Sequence, residues 1–450
     1  MGCFVLNRRT MIKLLPFSLI LVILFHGATH GQEEQLPLVD SLGIIDTIIV
    51  AGNTKTEAYV ILNEMTLKPG SVASHQAIEF DRNRIYSLGL FTRVDIDYDT
   101  LEGQRFLFVD VSERWYLIPV PIFGFRDGDP KKPYYGIGVL HSNVAGRNQK
   151  LFVSAVLGHN PSYSLFFSDP LFDRENSLYW SASTSYSRVR NRSVIEAAKS
   201  GRFDELHFDV GGTLGKRLTL YQTLGISLGY HIVTFTDNEP GRTVSGTGRD
   251  SYVYSSLSYL YDSRDLREYA ANGFFMSLYL SKPGFGEADV NFTRFGADLR
   301  KYIPLPLDLT LATRAHGTIV SGGVVPTYSR VYFGYGERIR GYFKNVFEGE
   351  NMLGGTVELR YPILKARTIN VSMIPLPREF SVWRFGISLA LFGDTGVTWF
   401  RGERLARGDF ASGYGGGIHF LLPYGIVVRT EYGFNEFRRG EFIFDVRTSI

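Results

Sequence analysis

Gly334-Tyr335-Gly336-Glu337-Arg338-Ile339-Arg340-Gly341-Tyr342-Phe343 is a short, glycine-rich run that is both aromatic and charged. It lies in a segment without period, roughly residues 321–351. A loop of that length between strands is usually functional or disordered. This one carries too many aromatics and too few charges for plain disorder. Its bland reading is a glycine-rich surface loop with a solvated arginine. The fold turns on what flanks it.

On both sides the chain alternates apolar and polar residues, and the alternation begins at Trp115. Trp180, Ala182, Thr184 and Tyr186 alternate with Ser181, Ser183, Ser185 and Ser187. Val357, Leu359 and Tyr361 alternate with Thr356, Glu358 and Arg360. Ile426, Val428 and Tyr432 alternate with Val427, Arg429 and Glu431. Period two means strands with one apolar face and one polar face. The segments run from 117–125 through 307–319, then 352–362, 384–392, 411–420, 423–433 and 440–449. They total about sixteen, an even number that suits a single-chain membrane barrel. The long loop falls between the eleventh and twelfth. A soluble sandwich with its apolar face inward shows the same alternation. The secretory N-terminus and the aromatic strand ends favour the barrel.

That N-terminus has Arg8, Arg9 and Lys13, then an apolar run from Leu14 to Phe25, then Gly27, Ala28 and Gly31. Basic, apolar and small residues in that order read as a signal peptide over residues 1–31. A permanent anchor helix is the alternative, and Met11 is a second candidate start. The only cysteine, Cys3, lies in this segment, so a cleaved chain has no thiol chemistry. No later stretch has the 18 or so consecutive apolar residues of a membrane helix. Any membrane crossing must then be a closed barrel.

Composition excludes several functions. With 48 basic and 45 acidic residues the chain gives no reason to expect nucleic-acid binding. The counts of Gly 48, Tyr 26 and Phe 34 suit strands that face lipid on one side. No Gly-x-Ser-x-Gly elbow, HExxH or P-loop occurs, and His207, His231, His316 and His419 are scattered. The expectation is no enzyme, no cofactor and no metal. On a strand end, His141-Ser142 is no catalytic pair, because neighbours on a strand point to opposite faces.

Between the signal and the barrel, residues 32–43 read as a linker and 44–113 as a compact α+β unit. Ile44–Val50 is a strand closed by Ala51, Gly52 and Asn53. Thr54 or Thr56 is a candidate cap for a helix over 57–64. Lys68-Pro69-Gly70 is a turn, and 74–88 an amphipathic helix stopped by Gly89. A hairpin of 91–97, beginning at Phe91, and 105–111 follows.

The Ile339-Arg340-Gly341-Tyr342 run resembles the Val/Ile-Arg-Gly-Tyr/Phe signature of the BamA/TamA outer-membrane assembly superfamily. Phe392-Gly393-Asp394-Thr395-Gly396 is similar to its partner motif Phe-x-Asp-x-Gly. The α+β unit resembles that superfamily's POTRA domain on Gly52-Asn53-Thr54, Lys68-Pro69-Gly70 and Leu88-Gly89-Leu90-Phe91. Asn143-Val144-Ala145-Gly146-Arg147, Asp169-Pro170 and the glycines 413, 415, 416 and 417 resemble further barrel patterns, though turn chemistry also explains them. The resemblance implies one POTRA domain over 44–113 and an outer-membrane barrel over 114–450. It implies that Arg340 docks on Asp394 inside the barrel, with Ile339, Gly341, Tyr342, Phe392 and Gly396 in support. Implied partners are unfolded outer-membrane or secreted clients, the lipid bilayer and accessory assembly proteins, in a Gram-negative-type bacterium. The alternative function is a secretion pore for one partner, or a passive channel. Ile450 departs from the aromatic residue that ends many such barrels.

Overall fold

The computed structural model describes residues 41–125, 131–159, 161–201, 203–236, 242–286, 288–370 and 382–447. The signal peptide and most of the linker lie outside the described residues. The first strand, β1 (Ser41–Ile44), begins inside the stretch read as linker. It pairs antiparallel with β3 (Val72–Ser74), and that pairing is why a polar stretch is ordered there.

In the N-terminal domain, β2 (Thr47–Ala51), β4 (Phe91–Leu101) and β5 (Gln104–Glu113) form a sheet of order β2-β5-β4. β2 runs parallel to β5, and β4 antiparallel to it. Helices α1 (Ala58–Leu62) and α2 (His75–Tyr86) cover one face. Ser74 caps α2 by accepting from the Ala77 amide at 3.2 Å. Neither Thr54 nor Thr56 caps α1, which begins after Glu57 without a side-chain cap. Both are drawn instead to Glu113, whose carboxylate accepts from the Thr54 hydroxyl at 2.8 Å and the Thr56 amide at 2.7 Å. Ile45, Ile61, Ile85, Leu90, Phe91 and Leu107 are fully buried between helices and sheet. Gly52 sits where a Cβ would fall 1.9 Å from the Val111 carbonyl oxygen. Asn53 closes the following turn by donating to the Thr56 carbonyl at 2.8 Å. Gly70 and Gly89 both have positive φ at their turns.

Sixteen strands then form one antiparallel sheet. They are β6 (Leu117–Phe125), β7 (Pro133–Val144), β8 (Gln149–Gly158), β9 (Ser162–Asp173), β10 (Leu178–Arg190), β11 (Asp204–Arg217), β12 (Gln222–Phe235), β13 (Arg249–Asp262), β14 (Gly273–Pro283), β15 (Phe292–Pro304) and β16 (Thr310–Gly322). After the long loop, which holds the small hairpin β17 (Val331–Phe333) and β18 (Phe347–Gly349), come β19 (Asn351–Asn370), β20 (Val382–Trp399), β21 (Ala411–Leu422), β22 (Ile426–Asn435) and β23 (Gly440–Arg447). A seven-residue helix, α3 (Val194–Ser200), interrupts the β10–β11 connection. The sheet ends at β6 and β23, and among the described residues no ladder joins those two strands. β19 and β20 run well past the segments read from sequence, so Asp394 and Gly396 lie within β20 rather than beyond its end.

The polarity of the sheet is inverted relative to a soluble sandwich. On β12, Leu224, Ile226, Leu228 and Tyr230 face outward and exposed. On the inner wall Glu358, Arg360, Asp394, His419, Arg429 and Glu431 are buried. An apolar outer belt with ionisable groups inside is what a bilayer selects.

The domain docks on the near end of the barrel. The Thr56 hydroxyl meets the Tyr116 hydroxyl at 2.8 Å and accepts from Asn143 Nδ2 at 2.9 Å. The Glu57 amide donates to the Gly146 carbonyl at 2.9 Å. Glu64 binds Arg84 of its own domain and Arg217 of the barrel, each at 2.8 Å. Arg174 stacks on the Tyr59 ring, 3.5 Å from its centroid. The Asn143–Arg147 run is thus a docking turn as well as a turn.

Candidate functional site

The long loop folds back into the barrel from the far end. Its hairpin packs Phe333 and Ile339 against Met352 of β19 and Ala411 of β21. Gly396 on β20 makes room, because a Cβ there would lie 2.7 Å from the Phe333 ring and 2.9 Å from Ile339 Cδ1. Burying this apolar tip drives the loop inward and carries the next residue, Arg340, with it.

Arg340 and Asp394 meet there. Nε donates to Oδ2 and Nη2 to Oδ1, both at 2.8 Å, and the Arg340 amide donates to Oδ2 at 3.0 Å. The guanidinium also engages two more carboxylates through Nη1, Glu358 at 2.7 Å and Glu431 at 2.9 Å. Phe392 lies under it, 3.6 Å from guanidinium carbon to ring centroid. Arg340 keeps only 9% of its surface. A buried guanidinium is tolerable because nearly every donor is met and opposite charge surrounds it.

Three inner-wall glycines on β21 explain how the wall accepts this load. A Cβ at Gly413 would lie 1.6 Å from the Arg340 carbonyl oxygen. At Gly415 it would lie 2.8 Å from the Phe392 ring, and at Gly417 2.7 Å from Glu431 Cγ. These positions alternate on one strand, so all three face inward. Gly341 has φ +99°, and a Cβ there would fall 2.6 Å from the Phe434 carbonyl oxygen. Tyr342 donates its hydroxyl to Glu436 at 2.6 Å and stacks edge-on with Phe347. The Phe343 amide donates to Glu441 of β23.

The cluster continues toward the near end. His419 Nε2 lies 3.0 Å from Glu431, and Arg360 Nε donates to Glu358 at 2.7 Å. Glu358, His419 and Glu431 bring ligand atoms within 4.8 Å of one another, a spacing suited to a metal ion. The Arg340 guanidinium already bridges the two glutamates, so the cation in this site is its own arginine. The near-end connection from Ser263 to Asn272 also folds inward. Tyr269 meets His419 Nδ1 at 3.0 Å, and Arg360 donates to the Ala270 carbonyl at 3.2 Å. The same connection touches the N-terminal domain, the Arg267 amide donating to the Ser87 hydroxyl at 3.2 Å.

Sequence reading put Glu358, Arg360, Arg429 and Glu431 on the polar faces of their strands without assigning them to Arg340. It missed a second anchor: Arg314 of β16 donates to Glu337 through both terminal nitrogens, at 2.8 and 2.9 Å. Asp298 and Arg300 of β15 extend that network. Glu337 stands three positions before Arg340 in the opening stretch, the one signal that pointed to it.

Comparison with known proteins adds lineage to this geometry. A family model described as Omp85 superfamily domain matches residues 143–440. A POTRA model described as surface antigen variable number repeat matches residues 44–114. Among solved structures the chain is similar to BamA from Haemophilus ducreyi lacking POTRA domains 1–3, with TM-score 0.54 and 16% identity over 90% of this chain and 83% of that one. It is similar to CdiB from Escherichia coli at the same TM-score, 0.54, with 11% identity over 90% of this chain and 74% of that one. At such identities the likeness is one of fold.

Proposed function

The chain belongs to the Omp85 superfamily, an outer-membrane β-barrel with one POTRA domain, and on that premise we propose that it assembles client proteins into the outer membrane without covalent chemistry. The N-terminal domain stands in the periplasm and takes up unfolded client strands. Of the two edges of its sheet, β4 approaches β20 of the barrel, whereas β2 carries no partner on its outer side among the described residues. An extended client adds to β2 by backbone pairing. It then passes to the edges of β6 and β23, which share no ladder among the described residues, and pairs there with backbone donors and acceptors that template a new strand.

The observation that carries this reading is the conjunction of a seam without a ladder among the described residues and a filled interior. The sheet begins at β6 and ends at β23, while the loop and its buried Arg340 cluster occupy the lumen. A passive channel needs the opposite, a zipped wall and a clear lumen. A pore for one exported partner requires the loop to leave, which breaks the Arg340 contacts to three carboxylates.

Reconstitution in liposomes tests the proposal. Unfolded outer-membrane barrels offered from the periplasmic face should fold faster than into empty liposomes, read as heat-modifiable mobility on gels. No acceleration, together with passage of an exported protein into the vesicle lumen, contradicts it.

A further inference from the structure

His207 on β11 and His231 on β12 lie on the inner wall, far from the Arg340 cluster in sequence and in neither of its contact networks. The antiparallel register sets His231 opposite Asp209, and His207 opposite Val233. Their neighbours Phe208, Val210 and Tyr230 face outward and exposed, so both imidazoles point inward. There His207 Nδ1 and His231 Nε2 face each other at 3.3 Å.

Each ring is oriented from behind by a carboxylate. His207 Nε2 lies 3.1 Å from Glu205 Oε2, and His231 Nδ1 lies 3.0 Å from Asp209 Oδ2. Glu205 is buried and held by Asn191, and Asp209 also accepts from the Tyr254 hydroxyl at 3.3 Å. A carboxylate accepts hydrogen bonds and does not donate them. The nitrogens facing the carboxylates therefore carry the hydrogens. A neutral imidazole has only one N–H. The two nitrogens that face each other then present two lone pairs across 3.3 Å, with no hydrogen between them. Such a pair calls for an electrophile.

We propose that His207 and His231 form a binding site for a first-row transition-metal dication of the zinc class. Two nitrogens each about 2.0–2.1 Å from a tetrahedral zinc lie roughly 3.3–3.4 Å apart, which is the separation observed. A carboxylate behind each ligating imidazole is the usual support of such sites, fixing the tautomer and raising ligand basicity. Imidazole nitrogen selects zinc, nickel or copper over calcium and magnesium. Glu205 and Asp209 offset the dication's charge. The remaining coordination positions face a cavity of about 320 Å³ that Ser185, Tyr328 and Arg330 help to line, with room for water ligands. Access is open, since the two imidazoles keep 19% and 18% of their side-chain surface. Tyr328, at the start of the long loop, sets its ring edge-on to His207. A metal there stiffens the wall against which that loop begins.

The test uses tag-free full-length protein in detergent, stripped with EDTA and titrated with zinc against a chromogenic chelator. The native chain should bind one zinc ion tightly. His207→Ala and His231→Ala should each abolish that binding, and Asp209→Asn should weaken it roughly 10–100-fold. His159→Ala, a histidine outside the pair, should leave it unchanged. Heat-modifiable mobility of every variant confirms a folded barrel. No tight zinc on the native chain means that a shared proton alone bridges the rings, and overturns the proposal. Zinc retained by either His207→Ala or His231→Ala overturns it as well, by assigning the metal to other histidines.

Discussion

Arg340 and Asp394, 54 positions apart in sequence, meet through two parallel hydrogen bonds of 2.8 Å each. A planar fork on a carboxylate fixes orientation as well as position, which an ammonium cannot do. Arg340→Ala should therefore cost about 3–5 kcal/mol of barrel stability, because three carboxylates lose a buried counter-charge. Arg340→Lys should recover only part of it. In a double-mutant cycle with Asp394→Ala, read by urea unfolding in detergent, the pair should show a coupling of roughly 0.5–3 kcal/mol. Additive effects would place Arg340 in solvent.

Gly413 should tolerate no side chain. Its absent Cβ would stand 1.6 Å from the Arg340 carbonyl oxygen, a backbone atom that cannot swing aside. Gly413→Ala should push the loop from the lumen and open residues 334–343 to added protease. Gly393→Ala is the control on the neighbouring strand, with nothing within 4 Å of the new methyl. Equal protease resistance of the two variants would refute the steric account.

Much of this fold was legible in the sequence because alternation is a direct imprint of the two faces of a strand. The sixteen strands and the position of the long loop follow from it, and the α+β unit follows from its turns and the helical period of 74–88, though not from the expected cap at Thr54 or Thr56. Individual ends were less legible. β19 and β20 extend past their expected limits because their mutual pairing, not their own composition, sustains them. Arg340 and Asp394 stood out as a candidate pair because each sits in a compact motif. Glu358 and Glu431 are single inward residues on separate strands, and only barrel curvature brings both to one guanidinium. The inward turn carrying Tyr269 reads as an ordinary polar connection until its packing is seen. The glycines of β21 read as turn chemistry, whereas their missing side chains make room for a partner remote in sequence.

The docking of the periplasmic domain should depend on Glu64. It bridges Arg84, which is 4% exposed, and Arg217 on the barrel. Glu64→Ala leaves the Arg84 charge buried and without its carboxylate, a loss of about 3–5 kcal/mol for a dry pair. Spin labels at Leu101→Cys and Leu307→Cys, both exposed, should give one narrow distance in the parent and a broad distribution in the variant. An unchanged distribution would mean that Thr56, Asn143 and Gly146 hold the domain by themselves.

Acid should loosen the same region through Glu113. Burial raises its pKa, but hydrogen bonds from Thr56, Thr54 and Lys55 outweigh that and hold the carboxyl below the ordinary glutamate value. A depressed folded pKa stabilises the native state above the unfolded pKa, and that contribution is lost as pH falls through the folded one. Hydrogen-exchange protection of the Lys55 and Thr56 amides, corrected for intrinsic rate, should fall below the ordinary glutamate range. Glu113→Gln should flatten that dependence. A parent profile as flat as the variant's would remove Glu113 from the account.

Client assembly is the central claim, and the protein profile of the outer membrane after depletion of this chain tests it most directly. The account predicts that a set of other β-barrel proteins declines together in quantitative mass spectrometry and returns when the parent gene is restored, but not with Arg340→Ala. An outer membrane of unchanged barrel content, with one exported protein missing from the medium, would contradict it.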